Sequence, residues 1–218
     1  MSLAIFDLDN TLLGGDSDHL WGQFLVEQHL VDGAHYAREN QRFYDDYRAG
    51  TLDIHAFLAF VLQPLAARPL AELQAWRARF LAEKIEPIVL PKALALLERH
   101  RDAGDVLLII TATNRFLTEP IAARLNVPHL LATEPELIEG RYTGRATGTP
   151  CFQHGKVVRL HEWLAQTGHD LAESWFYSDS HNDLPLLSQV SYPVAVDPDA
   201  TLAEHAQSQG WPIMSLRD

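Results

Sequence analysis

The chain has 218 residues, 47% of them apolar, enough for a continuous core in one ordinary domain or a core with a smaller insert. Its formal net charge is -12, with Asp+Glu 29 against Lys+Arg 17. A surface that acidic, without a basic stripe, argues against nucleic acid and against anionic membranes as partners. Any phosphate group it binds must be met locally by a cation, a lysine or backbone N–H groups. The single cysteine, Cys151, excludes an intramolecular disulfide framework. No basic n-region or long apolar stretch precedes Leu3, so the expectation is a soluble, cytoplasmic protein. No pattern fixes an oligomeric state.

Leu3 to Leu8 is a short apolar run with acids only at its end, which predicts a buried parallel strand. A turn over Asn10 to Gly15 follows. From Asp16 to about Pro87 no strand-like run occurs, and helical periodicity takes over. Trp21, Phe24 and Leu25 share one face of a helix opened by Asp16 or Ser17 as N-cap. Tyr36, Phe43, Tyr44 and Tyr47 mark a second helix that Gly50 ends. Thr51 is read as the cap of a third, with Ile54, Phe57, Leu58, Val61 and Leu62 inward. Leu73, Trp76, Phe80 and Leu81 mark a fourth, closed before Pro87.

Helix and strand alternate after Pro91. A helix over Pro91 to Arg101 precedes a strand over Val106 to Ile110, a polar turn Thr111 to Asn114, and a helix to Leu125. His129 to Ala132 reads as a third strand, and Leu137 to Thr147 as a small hairpin marked by Gly140 and Gly144. A helix follows from about Lys156 to Gln166, then a strand over Ser174 to Ser178 and a short helix from Asp183 to Leu187. Tyr192 to Val196 is a strand and Thr201 to Gln209 a helix. The pattern predicts an α/β fold: a doubly wound parallel sheet from residues 1–15 and 88–218, with residues 16–87 inserted as a helical unit after the first strand.

Ligands bind such sheets beyond the carboxyl ends of the strands, so the polar residues there carry the function. Asp7 and Asp9 follow the first strand. Thr111, Ala112, Thr113 and Asn114 follow the second, and Asp179, Ser180, His181, Asn182 and Asp183 follow the Ser174 strand. Each acid alone could be a turn former or helix cap. Three of them gathered at neighbouring strand ends would repel one another unless a cation intervened. Mg²⁺ suits this set, since it takes one or two carboxylates with waters and substrate phosphate. A carboxylate can attack phosphorus, and a second can protonate the leaving alcohol and then deprotonate water. Thr111, near a helix start, offers a hydroxyl and N–H groups to an anion, or simply caps the helix. Lys156 heads a helix, where a cation opposes the dipole, which hints at another role; the alternative is a solvated surface lysine.

The run Asp7-Leu8-Asp9-Asn10-Thr11-Leu12, then Thr111, then Lys156, then Ser178-Asp179-Ser180-His181-Asn182-Asp183, resembles the four motifs of the haloacid dehalogenase superfamily of phosphohydrolases. The order is correct and nearly the whole chain is covered; the first and last motifs are specific, a lone threonine or lysine is not. The insert looks like the C1-type cap of its phosphoserine-phosphatase-like branch. The resemblance implies that Asp7 is nucleophile and metal ligand, and that Asp9 is the general acid/base, meeting the metal through its carbonyl. It implies that Thr111 and the Ala112 N–H bind phosphoryl oxygens, with Thr113 and Asn114 beside them. Lys156 would neutralise charge, Asp179 would bind Mg²⁺, and Asn182 and Asp183 would position phosphate and metal-bound water. The last motif reads Ser-Asp-Ser-His-Asn-Asp where the family often has Gly-Asp-Gly-x-Asn-Asp, and Thr113 and Asn114 stand where phosphoserine phosphatases have small glycines.

Those phosphatases place a cap acid shortly after the first motif to hold the substrate amine, and Asp16 stands in that position. It either caps its helix, faces an amine-bearing substrate, or does both. The implied partner is a small phosphate monoester, histidinol phosphate or phosphoserine among them. Arg48 either reaches a substrate carboxylate or is solvated. His19, His154 and His181 show no zinc-ligand spacing. A phospho-receiver module would lack the insert and the second acid, and a dehalogenase would need neither Asp9 nor Asp179. A phosphotransferase to an alcohol acceptor is the closer rival.

Overall fold

A computed structural model describes residues 2–217. Its centre is a seven-stranded sheet in the order β4-β3-β2-β1-β5-β6-β7. The strands are β1 (Leu3–Phe6), β2 (Val106–Asn114), β3 (His129–Ile138), β4 (Arg141–Thr147), β5 (Trp175–Ser178), β6 (Tyr192–Val196) and β7 (Ile213–Met214). Every pairing is parallel except that of β3 with β4. Strand β1 lies between β2 and β5, so the connections leave it in opposite directions. That topological switch point opens a crevice where the ends of β1, β2 and β5 meet.

Alternation along β1 divides the core. Ala4 and Phe6 face one side with Leu107, Ile109, Val194 and Val196, while Leu3 and Ile5 face the other with Leu108, Ile110, Phe176 and Ala195. Helices α6 (Pro91–Asp102) and α7 (Arg115–Arg124) cover the first face. Helices α8 (His154–Thr167), α9 (Leu184–Leu187) and α10 (Ala200–Gln209) cover the second, through Leu160, Leu164, Leu186, Leu187, Leu202 and Ala206.

Between β1 and β2 the chain is helical: α1 (Ser17–Glu27), α2 (Gly33–Arg48), α3 (Ile54–Val61), α4 (Gln63–Ala66) and α5 (Leu70–Phe80), the last running on through a π turn at Leu81–Ile85. The two ends of this insert are tied where Leu13 bridges Val89 and the Gly14 N–H donates to Ile88 O at 2.7 Å. Its apolar face joins the first-face core rather than forming a separate one. Trp21 packs edge-on against Phe116 of α7 at 6.1 Å, and the Arg77 guanidinium donates to Phe116 O at 2.6 Å. Among the described residues no single helix is long and apolar enough to cross a membrane.

The structure corrects several boundaries. Asp53, not Thr51, caps α3, because its carboxylate accepts from the His55 and Ala56 N–H groups. Pro64 starts a separate short α4. Strand β2 continues through Thr111 to Asn114, with a register shift after Ile110, so Thr111 lies inside a strand and Asn114 is the N-cap position of α7. The hairpin is wider than its glycines suggest, since β3 runs unbroken from its parallel pairing with β2 into its antiparallel pairing with β4.

At the head of α8 the chain turns so tightly that a Cβ on Gly155 would lie 1.9 Å from Pro150 O. A backbone carbonyl cannot yield cheaply, so only glycine fits. Gly155→Ala is therefore expected to lose about 1–3 kcal/mol of stability, the usual range for overpacking, and to displace Lys156. Urea unfolding followed by circular dichroism measures the loss; an unchanged midpoint would contradict the tight turn.

Candidate active site

The crevice gathers the carboxylates that the sequence places at the ends of β1 and β5. Asp7 continues β1, its N–H donating to Tyr177 O of β5 at 2.9 Å. Lys156, on the first turn of α8, donates to Asp7 Oδ1 at 2.8 Å and to Asp183 Oδ2 at 2.7 Å, with all three side chains buried. Ser178 Oγ adds a second donor to Asp183 Oδ2 at 2.7 Å. Asp183 is thus the counter-charge that positions Lys156, and it does not line the cavity described below.

Asp9 is held from two sides. The Ser17 N–H donates to its Oδ1 at 2.7 Å, and Thr113 Oγ1 to its Oδ2 at 2.8 Å, with Thr111 Oγ1 at 3.5 Å. One acid is thereby fixed between the start of α1 and the end of β2. Asp179 follows β5 and faces Thr11, whose Oγ1 lies 3.3 Å from its Oδ1 and accepts its N–H at 3.1 Å. Asn182 turns toward the insert: its Nδ2 donates to Tyr47 O at 3.0 Å and its Oδ1 accepts from Gln153 at 2.9 Å.

Between these groups and the insert lies a cavity enclosing about 540 Å³, part of it open to solvent. Asp7, Asp9, Thr111, Ala112 and Thr113 form its floor; Asp16, Asp18 and His19 of the α1 region and an apolar wall including Phe43, Tyr44, Ile54 and Phe57 form the rest. Among the described residues no lysine or arginine lines it. Arg48 is exposed, lies beyond Tyr44 and lines a separate depression with Asp179 and His181. Asp16 is the N-cap of α1, accepting the His19 N–H at 2.8 Å, and it also faces the cavity.

Charge is unbalanced here. Burial pushes Asp7 up to about 7, with Lys156 opposing and Asp183 and Asp9 adding. Burial likewise lifts Asp9 to about 6, with Asp16 adding and the Ser17 and Thr113 donors opposing, and lifts Asp16 to about 6. Asp179 stands well above the ordinary range, through burial and the charges of Asp7 and Asp183. Among the described residues no three His, Cys, Asp or Glu side chains converge into a closed metal cage. The donor set of Asp7 and Asp179 is all oxygen and short of positive charge, which fits a hard divalent cation completed by substrate and water oxygens.

Residues 4–188 match the haloacid dehalogenase-like hydrolase family. A histidinol-phosphatase of Neisseria meningitidis is 46% identical over 99% of both chains. The chain belongs to the haloacid dehalogenase-like hydrolases. A phosphoserine phosphatase of Mycobacterium tuberculosis is 33% identical, over 98% of this chain and 70% of its own length. A protein of unknown function from Bordetella pertussis superposes with a TM-score of 0.93 at 45% identity, covering 99% of this chain and 98% of that one.

In this hydrolase the structure brings together Asp7, Asp9, Thr111, Ala112, Thr113, Lys156 and Asp16 as the sequence motifs suggest. Asn114, Asn182 and Asp183 are not on the cavity surface. Of the histidines, His19 lines the cavity and stacks on Tyr44 at 4.5 Å, His181 pairs with Asp199 at 2.7 Å, and His154 is exposed. Sequence reading gave Asp18 no role of its own: it stands in the run Asp16-Ser17-Asp18-His19, where an acid in the first turn of a helix is also an ordinary helix-start residue.

The raised Asp7 carboxyl sets a sign. Between the unfolded value near 4 and the folded value of about 7, the folded state holds the extra proton, so this group favours folding at the acid end of that window and loses the contribution as pH rises through it. In chelator, the stability of wild type relative to Asp7→Asn should therefore fall from pH 4.5 to pH 7.5, about the width of that window. Thermal melts of both proteins across the range test it, and a wild type that gains stability relative to the variant as pH rises would contradict the assignment.

Proposed function

We propose that this phosphatase hydrolyses histidinol phosphate with Mg²⁺ bound, through a phosphoryl group carried transiently on Asp7. The single observation that carries the substrate reading is a cavity lined by Asp16 and Asp18 and by aromatic rings, with no lysine or arginine. Histidinol phosphate offers an ammonium and an imidazole, both able to meet carboxylates. Phosphoserine would bring a carboxylate into the same acidic space with no cation to receive it. The histidinol-phosphatase and phosphoserine phosphatase among the relatives frame the same two alternatives. We also take residues 16–87 to act as a cap over a catalytic core formed by 1–15 and 88–218.

The residues then divide the work. Lys156 fixes Asp7 Oδ1, leaving Oδ2 to attack phosphorus as the bond to the alcohol oxygen breaks. Asp9, held by Ser17 and Thr113, delivers its proton to the departing alkoxide. Asp9 then takes a proton from water, which attacks phosphorus and frees both Asp7 and inorganic phosphate. The Thr111 hydroxyl and the Ala112 N–H, on the bulged end of β2, receive phosphoryl oxygens. Asp16 receives the ammonium next to the ester carbon. A Mg²⁺ held by Asp7, Asp179 and the Asp9 carbonyl would supply the positive charge that lets an anionic ester approach these carboxylates.

Phosphate release should be measured on histidinol phosphate, phosphoserine, sugar phosphates and p-nitrophenyl phosphate, with Mg²⁺ and with EDTA. Turnover in Mg²⁺, loss in EDTA and a clear preference for histidinol phosphate are expected. Preference for phosphoserine would sink the substrate reading, and full activity in EDTA would remove the metal.

Asp7→Asn should abolish turnover, because an amide is a far poorer nucleophile. Asp9→Asn should slow release of the alcohol about 10²–10⁴-fold while phosphate still binds. Asp16→Ala should harm amine-bearing esters more than p-nitrophenyl phosphate; equal losses would leave Asp16 as a helix cap alone. Near-full activity of either of the first two variants would be incompatible with the mechanism.

A further inference from the structure

Asp18 on the cavity wall, and two polar side chains buried behind it, are left unused by the phosphoryl chemistry. Asp18 lines the cavity yet is only 7% exposed. Its hydrogen-bond partner is Asn114 Nδ2, which reaches Oδ1 at 3.3 Å, long for a bond to a carboxylate. The adjacent Thr113 hydroxyl gives its proton to Asp9 instead. Asn114 is 2% exposed, and among the described residues its Oδ1 has no partner; the buried Tyr36 hydroxyl, close enough to feel the Asp18 charge, has none there either. Buried polar atoms are normally paired, so Asp18, facing the cavity with one long bond and backed by two unsatisfied buried groups, marks a place built for a polar ligand. Burial holds the Asp18 carboxyl well above the usual range, as expected of an acid with no cation beside it.

The order of the two acids matches the order of groups along the substrate. Asp16 lines the cavity with Asp7 and Asp9 and directly precedes Ser17, whose N–H donates to Asp9 Oδ1 at 2.7 Å, which places Asp16 near the phosphoryl floor. Asp18, two residues on, is bonded to Asn114 and shares the cavity with the rings of Phe43 and Phe57. In histidinol phosphate the ammonium is next to the ester carbon and the imidazole is farther out. We propose that Asp18, its Oδ1 fixed by Asn114, accepts a hydrogen bond on Oδ2 from the imidazole N–H and is the residue that selects an imidazole over other side chains on the same amino-alcohol phosphate. This rests on the histidinol phosphate reading given above.

The test compares histidinol phosphate with phenylalaninol phosphate, which keeps the amine and a flat ring but has no ring N–H. Wild type should favour the imidazole ester in kcat/KM by roughly 10- to 100-fold, the value of a hydrogen bond to a charged partner. Asp18→Asn keeps the shape of the side chain, and it should lower kcat/KM for histidinol phosphate roughly 10- to 100-fold more than for phenylalaninol phosphate. A wild type that does not distinguish the two rings overturns the assignment without recourse to any variant, and so does a variant that loses both substrates equally. In either case a retained preference for histidinol phosphate over phosphoserine shows that the functional reading stands. If wild type instead prefers phosphoserine, that reading falls and takes the role of Asp18 with it.

Discussion

Lys156, buried between Asp7 and Asp183, is the interaction on which the site depends. Three charges withdrawn from water are tolerable only when each is matched and hydrogen-bonded, and here the matching is tight: 2.8 Å to one carboxylate, 2.7 Å to the other, and a serine hydroxyl on the second. The two negative neighbours hold the lysine charged by raising its titration against the opposing effect of burial. The same contact joins three pieces of chain distant in sequence, the end of β1, the first turn of α8 and the segment after β5. The glycine before Lys156, pressed on Pro150 O, gives α8 the approach that brings the ammonium to this point. Fold and site are therefore specified by one network, in which a shift of α8 leaves two carboxylates buried without a partner.

Charge accounting explains why the rest of the crevice looks as it does. One lysine is shared by Asp7 and Asp183, while Asp9, Asp16, Asp18 and Asp179 have hydroxyl, amide or N–H partners but no side-chain cation. In a chain already carrying -12, such a site repels anions unless positive charge enters with them or is held in place. In the proposed reading, a divalent cation at Asp7 and Asp179 would answer the phosphoryl group. A cationic substrate would answer the acids of the α1 side. The two sides of the crevice would then receive opposite ends of one zwitterionic ester.

How much of this was legible in the sequence follows from which forces are local. The alternation of strand-like apolar runs with helices indicated a doubly wound parallel sheet, and the acids directly after β1 and β5 could be placed because a strand end fixes where the next side chains go. Thr111 and Lys156 stand at the crevice as their motifs suggest. Side chains on the helical insert were harder, because helical spacing says which residues share a face but not what that face meets. Arg48 could not be turned away from the cavity by spacing alone, and Asp18 could not be told from a solvated first-turn acid. Strand β7 has two residues, Ile213 and Met214, too few to show a period. Asn182 reads as a phosphate ligand by position, whereas the contact it makes, to the Tyr47 carbonyl, depends on where the insert docks.

That docking is itself specified by backbone. Gly50, at φ +72, ends the turn after α2, and a Cβ there would meet His181 Nε2 at 2.6 Å. His181 is in turn held by Asp199, which accepts from both its N–H and Nδ1 at 2.7 Å. The insert therefore reaches the loop after β5 through a bare Cα and a backbone carbonyl, contacts that do not depend on which side chains α2 carries. Tyr44, Phe43 and Asn40 on the same helix are left free to shape the cavity. In the proposed mechanism, reaction chemistry lies on strand ends of the sheet and recognition on the insert, so a change of cavity wall would alter which ester is accepted while Asp7, Asp9 and Lys156 keep their geometry.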